Sequence, residues 1–353
     1  MTAGSGDPLV TAAVVGGGPS VQIRDLTVAY RIAGRDMAAV AGIDLELPPG
    51  SITGLVGESG SGKSTLALAL LGAVQKPGRI TTGSIEIDGV GDVVTLAPKA
   101  VRKARGAQIG YVFQAAQNSL NPLKTVGRQL LDLAKSHDVD DKQSLVRQAK
   151  SLLERMGLDA GRMLDAYQHE LSGGMRQRVG IMFALVLNAH LLVLDEPTTA
   201  LDMISQANIL SIIRDVSTDR ALTTLVVTHD IGVVAEVSER IAVMYGGRLV
   251  EQGPTTQVLR DPKHPYTRGL IRAIPRLHGD PALAQALPGR PPTLGTTPET
   301  GCVFRERCDV FARLQLPACV ETDPRPTPID GDRLVSCHAV ASEHQQADRE
   351  ARA

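Results

Sequence analysis

Two separate turns with phosphate-binding chemistry confine this chain to few folds. The first, residues 57–65 (GESGSGKST), has the pattern of a loop that holds a nucleoside triphosphate between a strand and a helix. The second, residues 171–178 (LSGGMRQR), is a Ser-Gly-Gly helix start that can cap a phosphate but has no lysine of its own. An apolar strand that ends in Asp195 and Glu196 follows shortly after it. The chain is therefore predicted to bind a nucleoside triphosphate.

The first turn supplies backbone and charge to the phosphates. Its glycines keep side chains away, so that successive N–H groups can point at phosphate oxygens. The lysine brings a positive charge to the β and γ phosphates, and the serine that follows it can ligate Mg²⁺. The predicted nucleotide-binding residues here are Gly57, Ser59, Gly60, Gly62, Lys63, Ser64 and Thr65.

The carboxylates at 195 and 196 predict hydrolysis. Residues 191–194 (LLVL) form an apolar strand that delivers both side chains to one strand end. Asp195 is expected to hold Mg²⁺, and Glu196 to polarise the attacking water as a general base. Acidic pairs after strands are common on protein surfaces, so this pair alone would be a weak signal. Because it follows the two phosphate-binding turns, we interpret it as catalytic.

The pattern along the chain indicates an α/β protein with additions. Strands and helices alternate after residue 191, which predicts a mostly parallel sheet, while residues 115–187 have a helical pattern that predicts an insertion. We expect a disordered leader at 1–20, a nucleotide-binding domain at 21–253, a loop-rich extension at 254–340 and a tail at 341–353. The leader lacks the features of a secretory signal.

Charge and hydropathy exclude some classes of partner. Lysine plus arginine (37) nearly balances aspartate plus glutamate (38), so no strong field draws the chain to nucleic acid or anionic lipid. The longest apolar stretch, 181–194, is interrupted by Asn188 and His190 and is too short to span a bilayer. Any membrane attachment is expected to come through partners.

Together the motifs in residues 21–253 resemble the ATP-binding subunits of ABC transporters. The resemblance implies a P-loop fold of ABC type, with a mostly parallel core sheet, an antiparallel β subdomain and a helical insertion. It also implies ATP as substrate, Mg²⁺ as cofactor and ATP hydrolysis. In this family the Ser-Gly-Gly helix of one subunit caps ATP bound by the other, which would give that role to Ser172, Gly173 and Gly174.

The same resemblance implies roles for single residues outside the two turns. Gln114 matches the glutamine loop that senses Mg²⁺, and His229 matches the histidine that contacts the γ-phosphate and assists catalysis beside Glu196 and Lys63. Asp202 lies in the loop that runs between the two sites of a dimer. The adenine ring would stack on Tyr30, the nearby aromatic side chain upstream of the loop.

The C-terminal part identifies a branch of the family. Residues 261–270 (DPKHPYTRGL) and 301–308 (GCVFRERC) resemble the extension of dipeptide and oligopeptide importer ATPases. This implies a subunit on the cytoplasmic face of the membrane that energises peptide import. Its partners would be a second ATPase chain in a heterodimer, or a homodimer, with two transmembrane permeases and an extracytoplasmic peptide-binding protein. Nickel or glutathione as cargo, and a soluble ABC ATPase outside transport, are the alternatives.

All four cysteines lie between residues 302 and 337. A reducing cytoplasm disfavours disulfides, so the grouping favours a metal, either structural zinc or an iron–sulfur cluster, with buried free thiols as the alternative. The spacing lacks the Cys-x-x-Cys pairs of zinc ribbons. Resemblance to the importer ATPases implies a [4Fe–4S] cluster on Cys302, Cys308, Cys319 and Cys337.

Overall fold

The computed structural model describes residues 17–114, 119–273 and 286–352, with side chains described as far as residue 346. The predicted leader thus lies outside the described residues except for its last part, 17–20. The described strands, in chain order, are β1 (Val21–Ile32), β2 (Arg35–Leu47), β3 (Ile52–Val56), β4 (Gly78–Ile87), β5 (Gly91–Asp92), β6 (Ile109–Val112), β7 (Leu191–Asp195), β8 (Thr223–Thr228), β9 (Arg240–Tyr245), β10 (Arg248–Pro254), β11 (Thr327–Pro328) and β12 (Leu334–Val335).

The described helices alternate with these strands and fill the insertion and the extension. They are α1 (Lys63–Leu70), α2 (Pro98–Ala107), α3 (Val126–Ser136), α4 (Lys142–Arg155), α5 (Ala160–Asp165), α6 (Gly173–Leu185), α7 (Met203–Asp219), α8 (Ile231–Val237), α9 (Thr255–Arg260), α10 (Pro265–Arg272), α11 (Asp309–Leu314), α12 (Ala318–Glu321) and α13 (His338–Arg352). None of the described helices is long and apolar enough to cross a bilayer.

The larger sheet has the strand order β11-β12-β10-β9-β3-β8-β7-β6. Its central part is parallel: β3 pairs with β8 and β9, and β7 pairs with β8 and β6. Because helices cover both faces of a parallel sheet, its strands are apolar throughout, and every residue of β3, β7 and β8 is buried. The predicted mostly parallel core sheet is confirmed.

The smaller sheet, in the order β2-β1-β4-β5, is antiparallel, as predicted for the β subdomain. At the end of β2, Ile43, Leu45 and Leu47 are buried while Asp44 and Glu46 are exposed, which is the alternation typical of a half-buried strand. The strand begins eight residues earlier than that alternation, at Arg35. Register shifts between β1 and β2 interrupt the alternation in the first part of β2. The sequence pattern therefore does not indicate this part of the strand.

Helices α3 to α6 form the insertion between β6 and β7. Their apolar faces share one core, to which Leu130, Leu152 and Met182 contribute fully buried side chains. Helix α4 begins at Lys142 because Asp141 caps it by accepting a hydrogen bond from the Ser144 N–H at 2.8 Å.

The extension predicted as loop-rich is tied into the larger sheet. Strand β12 pairs with β10 through Glu251↔Val335 and Gln252↔Leu334, and β11 pairs with β12. Two-residue strands have no periodicity, so the sequence could not indicate them. An aromatic cluster of Tyr245, Tyr266 and Phe304, with ring centroids 4.5 to 5.3 Å apart, packs the extension against the end of β9.

One buried ion pair also joins the extension to the sheet. Arg333 donates to Oε1 of Glu251 at 2.5 Å, and both side chains are almost fully buried, at 2% and 0% exposure. The carboxylate also accepts the backbone N–H groups of Lys263 and His264, each at 3.0 Å. Removing one partner of a buried pair leaves an unpaired charge in the interior.

We therefore expect Arg333→Met to lower the free energy of unfolding by about 3–5 kcal/mol in urea titrations. The control is Lys124→Gln, which breaks the exposed pair with Asp132 (2.6 Å) and should cost no more than about 1 kcal/mol. Equal losses in the two variants would contradict a stabilising role specific to the buried pair.

Candidate nucleotide-binding site

A cavity of about 690 Å³ lies at the carboxyl ends of the parallel strands. Ten of the predicted site residues line it, which places residues from five different segments around one space. They are Tyr30, Ser59, Gly60, Gly62, Lys63, Ser64, Thr65, Gln114, Glu196 and His229. Strand ends from one edge of a parallel sheet meet here, as in other open α/β folds. Leu270 and Leu294 of the extension also line this cavity, which the sequence did not indicate.

The phosphate turn connects β3 to α1, and close backbone contacts require glycine at two of its positions. A Cβ on Gly57 would lie 2.1 Å from the carbonyl oxygen of Met244. Gly62 has φ of 101°, and a Cβ there would lie 2.2 Å from the carbonyl oxygen of Ala39. The turn is thus wedged between β9 and β2, and its backbone is fixed before any ligand arrives.

Lys63 is buried and its ammonium group is held by the turn itself. Nζ donates to the carbonyl oxygens of Gly57 at 2.7 Å and Glu58 at 2.9 Å. Burial lowers the pKa of Lys63, while the nearby carboxylates of Glu196 and Asp195 act in the opposite direction. An ammonium group bonded to carbonyls can exchange them for the more strongly charged oxygens of a phosphate.

Ser64 and Asp195 form the candidate magnesium site. The Ser64 hydroxyl donates to Oδ1 of Asp195 at 3.1 Å, and the Tyr111 hydroxyl donates to Oδ2 at 3.2 Å. Burial raises the pKa of Asp195, and these two hydrogen bonds oppose that shift. Proteins usually bind Mg²⁺ through one or two oxygen ligands, and the substrate phosphates supply others. A serine hydroxyl beside a carboxylate is suited to this role.

Tyr111 was missed by the sequence reasoning. It lies on β6, which pairs with β7 so that Tyr111 and Val193 are partners, and this register brings its hydroxyl to Asp195. Burial raises the pKa of Tyr111 well above its usual range, so the phenol stays a hydrogen-bond donor. A tyrosine in an otherwise apolar strand was the available signal, since a half-buried hydroxyl needs a partner.

Glu196 and His229 contact each other directly. The His229 Nδ1 lies 2.8 Å from Oε1 and 2.9 Å from Oε2 of Glu196, and Thr199 donates to Oε2 at 3.0 Å. The backbone of Glu196 has φ of 53°, in the left-handed region, and its N–H donates to the carbonyl of Val227 at 2.8 Å. A non-glycine residue in this conformation directs its side chain out of the strand, into the cavity.

The Ser-Gly-Gly turn and the predicted dimer loop lie elsewhere. Ser172 caps α6 by accepting the Met175 N–H at 3.3 Å, and Asp202 caps α7 by accepting the Ser205 N–H at 2.9 Å. A Cβ on Gly174 would lie 3.5 Å from the Ser205 hydroxyl, so the two helix starts adjoin each other. Neither Ser172, Gly173, Gly174 nor Asp202 is among the residues that line the cavity.

The four cysteines are free thiols in one neighbourhood. Cys302, Cys319 and Cys337 are buried and Cys308 is half-buried. Burial, followed by the influence of the other three thiols, raises the pKa of Cys302 to about 12. The backbone N–H of Cys302 donates to the carbonyl of Cys319 at 2.8 Å, and Cys308 packs against both the apolar cluster of Cys302 and Cys319 and that of Cys337.

The predicted metal-binding character of the extension is not supported by this arrangement. In the part of the chain that the structure describes, no group of three or more His, Cys, Asp or Glu side chains is arranged to hold a metal ion. A tetrahedral zinc site needs thiolates about 4 Å apart, because each Zn–S bond is about 2.3 Å long. Cys302 and Cys319 are buried in one apolar cluster with Phe304 and Val303, and this burial raises the pKa of both thiols.

Comparison with known proteins gives two family matches. The model described as "ABC transporter" matches residues 40–199, and that described as "Oligopeptide/dipeptide transporter, C-terminal region" matches residues 250–313.

Curated relatives cover most of the chain. A putative peptide import ATP-binding protein of Brucella melitensis is 41% identical over 302 residues, or 82% of this chain and 89% of that one. The dipeptide transport ATP-binding protein DppD of Caldanaerobacter subterraneus is 38% identical over 90% of this chain and 96% of its own. The oligopeptide transport ATP-binding protein OppD of Bacillus subtilis is 40% identical over 81% and 80%.

Solved structures match the cassette part. The dimeric structure of MJ0796, titled a bacterial ABC transporter cassette, has a TM-score of 0.57 and 28% identity over 67% of this chain and 98% of that chain. A second structure of MJ0796, described as a post-hydrolysis state bound to ADP and Pi, has a TM-score of 0.57 and 29% identity over the same shares.

We expect Glu196→Gln to lower the rate of ATP hydrolysis by about 10²–10⁴-fold while ATP binding persists, because the amide cannot accept the proton of the attacking water. Single-turnover hydrolysis and equilibrium ATP binding measure the two effects separately. Unchanged turnover would exclude Glu196 as the base.

Proposed function

Because the chain belongs to the ATP-binding subunits of ABC transporters, we propose that it hydrolyses ATP to energise the import of dipeptides or oligopeptides. One observation carries this proposal. The cavity lined by the phosphate turn is also lined by Leu270 and Leu294, which lie in the segment that matches the peptide-transporter C-terminal region. Relatives that are 38–41% identical and named for peptide import support it.

The geometry supports a division of labour within the cavity. Lys63 exchanges its bonds to the turn for β- and γ-phosphate oxygens, and Ser64 with Asp195 would hold Mg²⁺, which neutralises charge on those oxygens. Glu196 accepts the proton of the attacking water. His229, oriented by Glu196 through Nδ1, keeps Nε2 for the γ-phosphate. Tyr30 and Gln114 also line the cavity, and they would receive the adenine ring and sense Mg²⁺, respectively.

A second subunit would complete this site. Ser172, Gly173, Gly174 and Asp202 lie outside the cavity of their own chain, as expected if they act on ATP held by another chain. Beside Asp202, Met203 and Ile204 are 86% and 77% exposed, which is typical of an apolar surface that a partner covers. The similar solved cassette is described as dimeric. We infer a pair of ATPase chains, with a heterodimer as the expected form.

An apolar groove offers a place for the membrane partners. It has a volume of about 460 Å³ and lies between β6 and the helical insertion, with Phe113, Leu133 and Phe183 among its lining residues. Residues 115–118, which follow Gln114 in the chain, lie outside the described residues. We propose that this groove receives the two permeases. The chain would then sit on the cytoplasmic face, and the peptide-binding protein would act through the permeases.

Cargo other than peptides remains the nearest alternative. The ATPase contacts permeases and not the transported solute, so nickel or glutathione import would use the same cavity and the same partners. A role in translation or DNA repair is disfavoured, because an importer-type extension packs against the ATP site.

For the cysteines, we propose the [4Fe–4S] cluster in preference to zinc. Each iron of a cubane cluster binds one thiolate, so the thiols can stand farther apart than around a single ion. Support for the proposal is that the fold of the extension groups three buried thiols with the half-buried Cys308 in adjoining apolar clusters. The cluster would bind Cys302, Cys308, Cys319 and Cys337 and clamp the extension.

The peptide assignment is tested on the complex isolated from solubilised membranes. We expect a peptide-loaded binding protein to stimulate its ATPase activity, since cargo delivery promotes closure of the two ATPase chains. A complex that contains permeases but does not respond to peptide would retain the transporter and contradict the cargo. A chain isolated without any permease would contradict transport itself.

The cluster is tested by analysis of anaerobically purified protein. We expect about four irons and four sulfides per chain, together with the broad visible absorption of iron–sulfur proteins. A Cys308→Ser variant is expected to lose most of the iron. Stoichiometric zinc without sulfide would favour the rival metal, and metal-free protein would leave the thiols as apolar core.

A further inference from the structure

Glu58 is the one acidic residue of the phosphate turn, and its carboxylate is bound by the extension. Arg307 donates from two guanidinium nitrogens to the two carboxylate oxygens, at 2.6 Å and 3.1 Å. The arginine side chain is 6% exposed and the glutamate 25%. The two residues are 249 positions apart in the chain, so the tertiary fold brings them together.

Arg307 is itself held in place by the extension and by β9. Its Nε donates to the carbonyl of Pro288 at 2.6 Å, and one terminal nitrogen donates to the Tyr245 hydroxyl at 3.2 Å. The guanidinium carbon also lies 5.7 Å from the centre of the Tyr245 ring. A planar guanidinium held by two hydrogen-bond acceptors and by an aromatic ring presents a rigid fork to a carboxylate.

The backbone of Glu58 is held at the same time. Its N–H donates to the hydroxyl of Tyr266 in the extension at 2.8 Å, and its carbonyl accepts from Lys63 Nζ at 2.9 Å. Glu58 therefore connects two side chains of the extension with the phosphate-binding lysine. A shift of Glu58 would move the carbonyl that positions that lysine.

The charge of Glu58 works against the expected ligand. Glu58 lines the cavity, and a carboxylate there repels the triphosphate that the turn has to receive. Arg307 neutralises this carboxylate and keeps it on the side of the extension. Without the arginine, the cavity would present an unpaired negative charge to ATP.

We propose that Arg307 is a positioning residue of the ATP site, which acts through Glu58. It cancels the charge of Glu58 and fixes the turn in the conformation that accepts the triphosphate. The cysteine segment, which carries Arg307 on a short 3-10 helix directly before Cys308, thereby becomes part of the nucleotide site. This inference rests on the proposed placement of ATP in the cavity.

The rival explanation is that the ion pair only anchors the extension. Both explanations predict damage from Arg307→Gln, but they differ for Glu58→Gln. An anchor is lost equally in either variant. A charge-compensating role predicts opposite signs, because Glu58→Gln removes the repulsive carboxylate and leaves the arginine beside the phosphates.

The experiment measures ATP affinity and steady-state hydrolysis on the purified full chain in its complex. We expect Arg307→Gln to weaken ATP binding by at least about tenfold, with KM rising more than kcat falls and the defect shrinking at high salt. Glu58→Gln should bind ATP more tightly than the unaltered chain. The double variant Arg307→Gln with Glu58→Gln should regain most of the lost affinity.

The control is Asp332→Asn, which breaks another ion pair between the extension and the larger sheet, Arg240–Asp332, at the opposite end of β9 from Tyr245. It should leave ATP affinity unchanged. Loss of affinity in both single variants with no rescue in the double variant would overturn the proposal, as would unchanged affinity in Arg307→Gln. If the Lys63→Ala variant binds ATP as tightly as the unaltered chain, the proposed placement of ATP in the cavity is wrong, and the role of Arg307 is not what failed.

Discussion

Close backbone packing around the phosphate turn is the constraint on which the rest of the molecule depends. Met244 and Ala39 approach Gly57 and Gly62 so closely that no side chain fits. The hairpin between β9 and β10 closes the arrangement: the Gly247 N–H donates to Ser61 at 3.0 Å, and its carbonyl accepts from Ala41 at 2.9 Å. One small region thus sets the positions of both sheets relative to the nucleotide cavity.

The parts of this protein that could be predicted are those that local sequence determines. The turn motif predicted that Lys63 follows β3, the apolar strands predicted Asp195 and His229 at the ends of β7 and β8, and parallel pairing brings such ends to one edge. The helical insertion and the antiparallel sheet were also correctly predicted. These features depend on periodicity and turn chemistry, which a single sequence shows directly.

The remaining contacts depend on register and long-range packing. Tyr111 reaches Asp195 only because β6 and β7 pair as they do, and Arg307 reaches Glu58 across most of the chain. The two-residue strands β11 and β12 form because β12 pairs with the edge of β10 and β11 pairs with β12. Strands this short have no periodic pattern that would indicate them in the sequence. The four cysteines are grouped in the sequence, and the fold also brings them into adjoining apolar clusters. Among the described residues, however, no three of them are arranged to hold a single metal ion.

The pairing of β12 with β10 has a practical consequence for work with the isolated cassette. A chain cut after Gly253 would keep every residue of the nucleotide motifs, yet it would lose the strand that covers β10 and the aromatic rings that cover Tyr245. An uncovered strand edge beside exposed aromatic surface pairs readily with other chains. Such a truncated ATPase would tend to aggregate during expression, and its low activity could be mistaken for a catalytic defect.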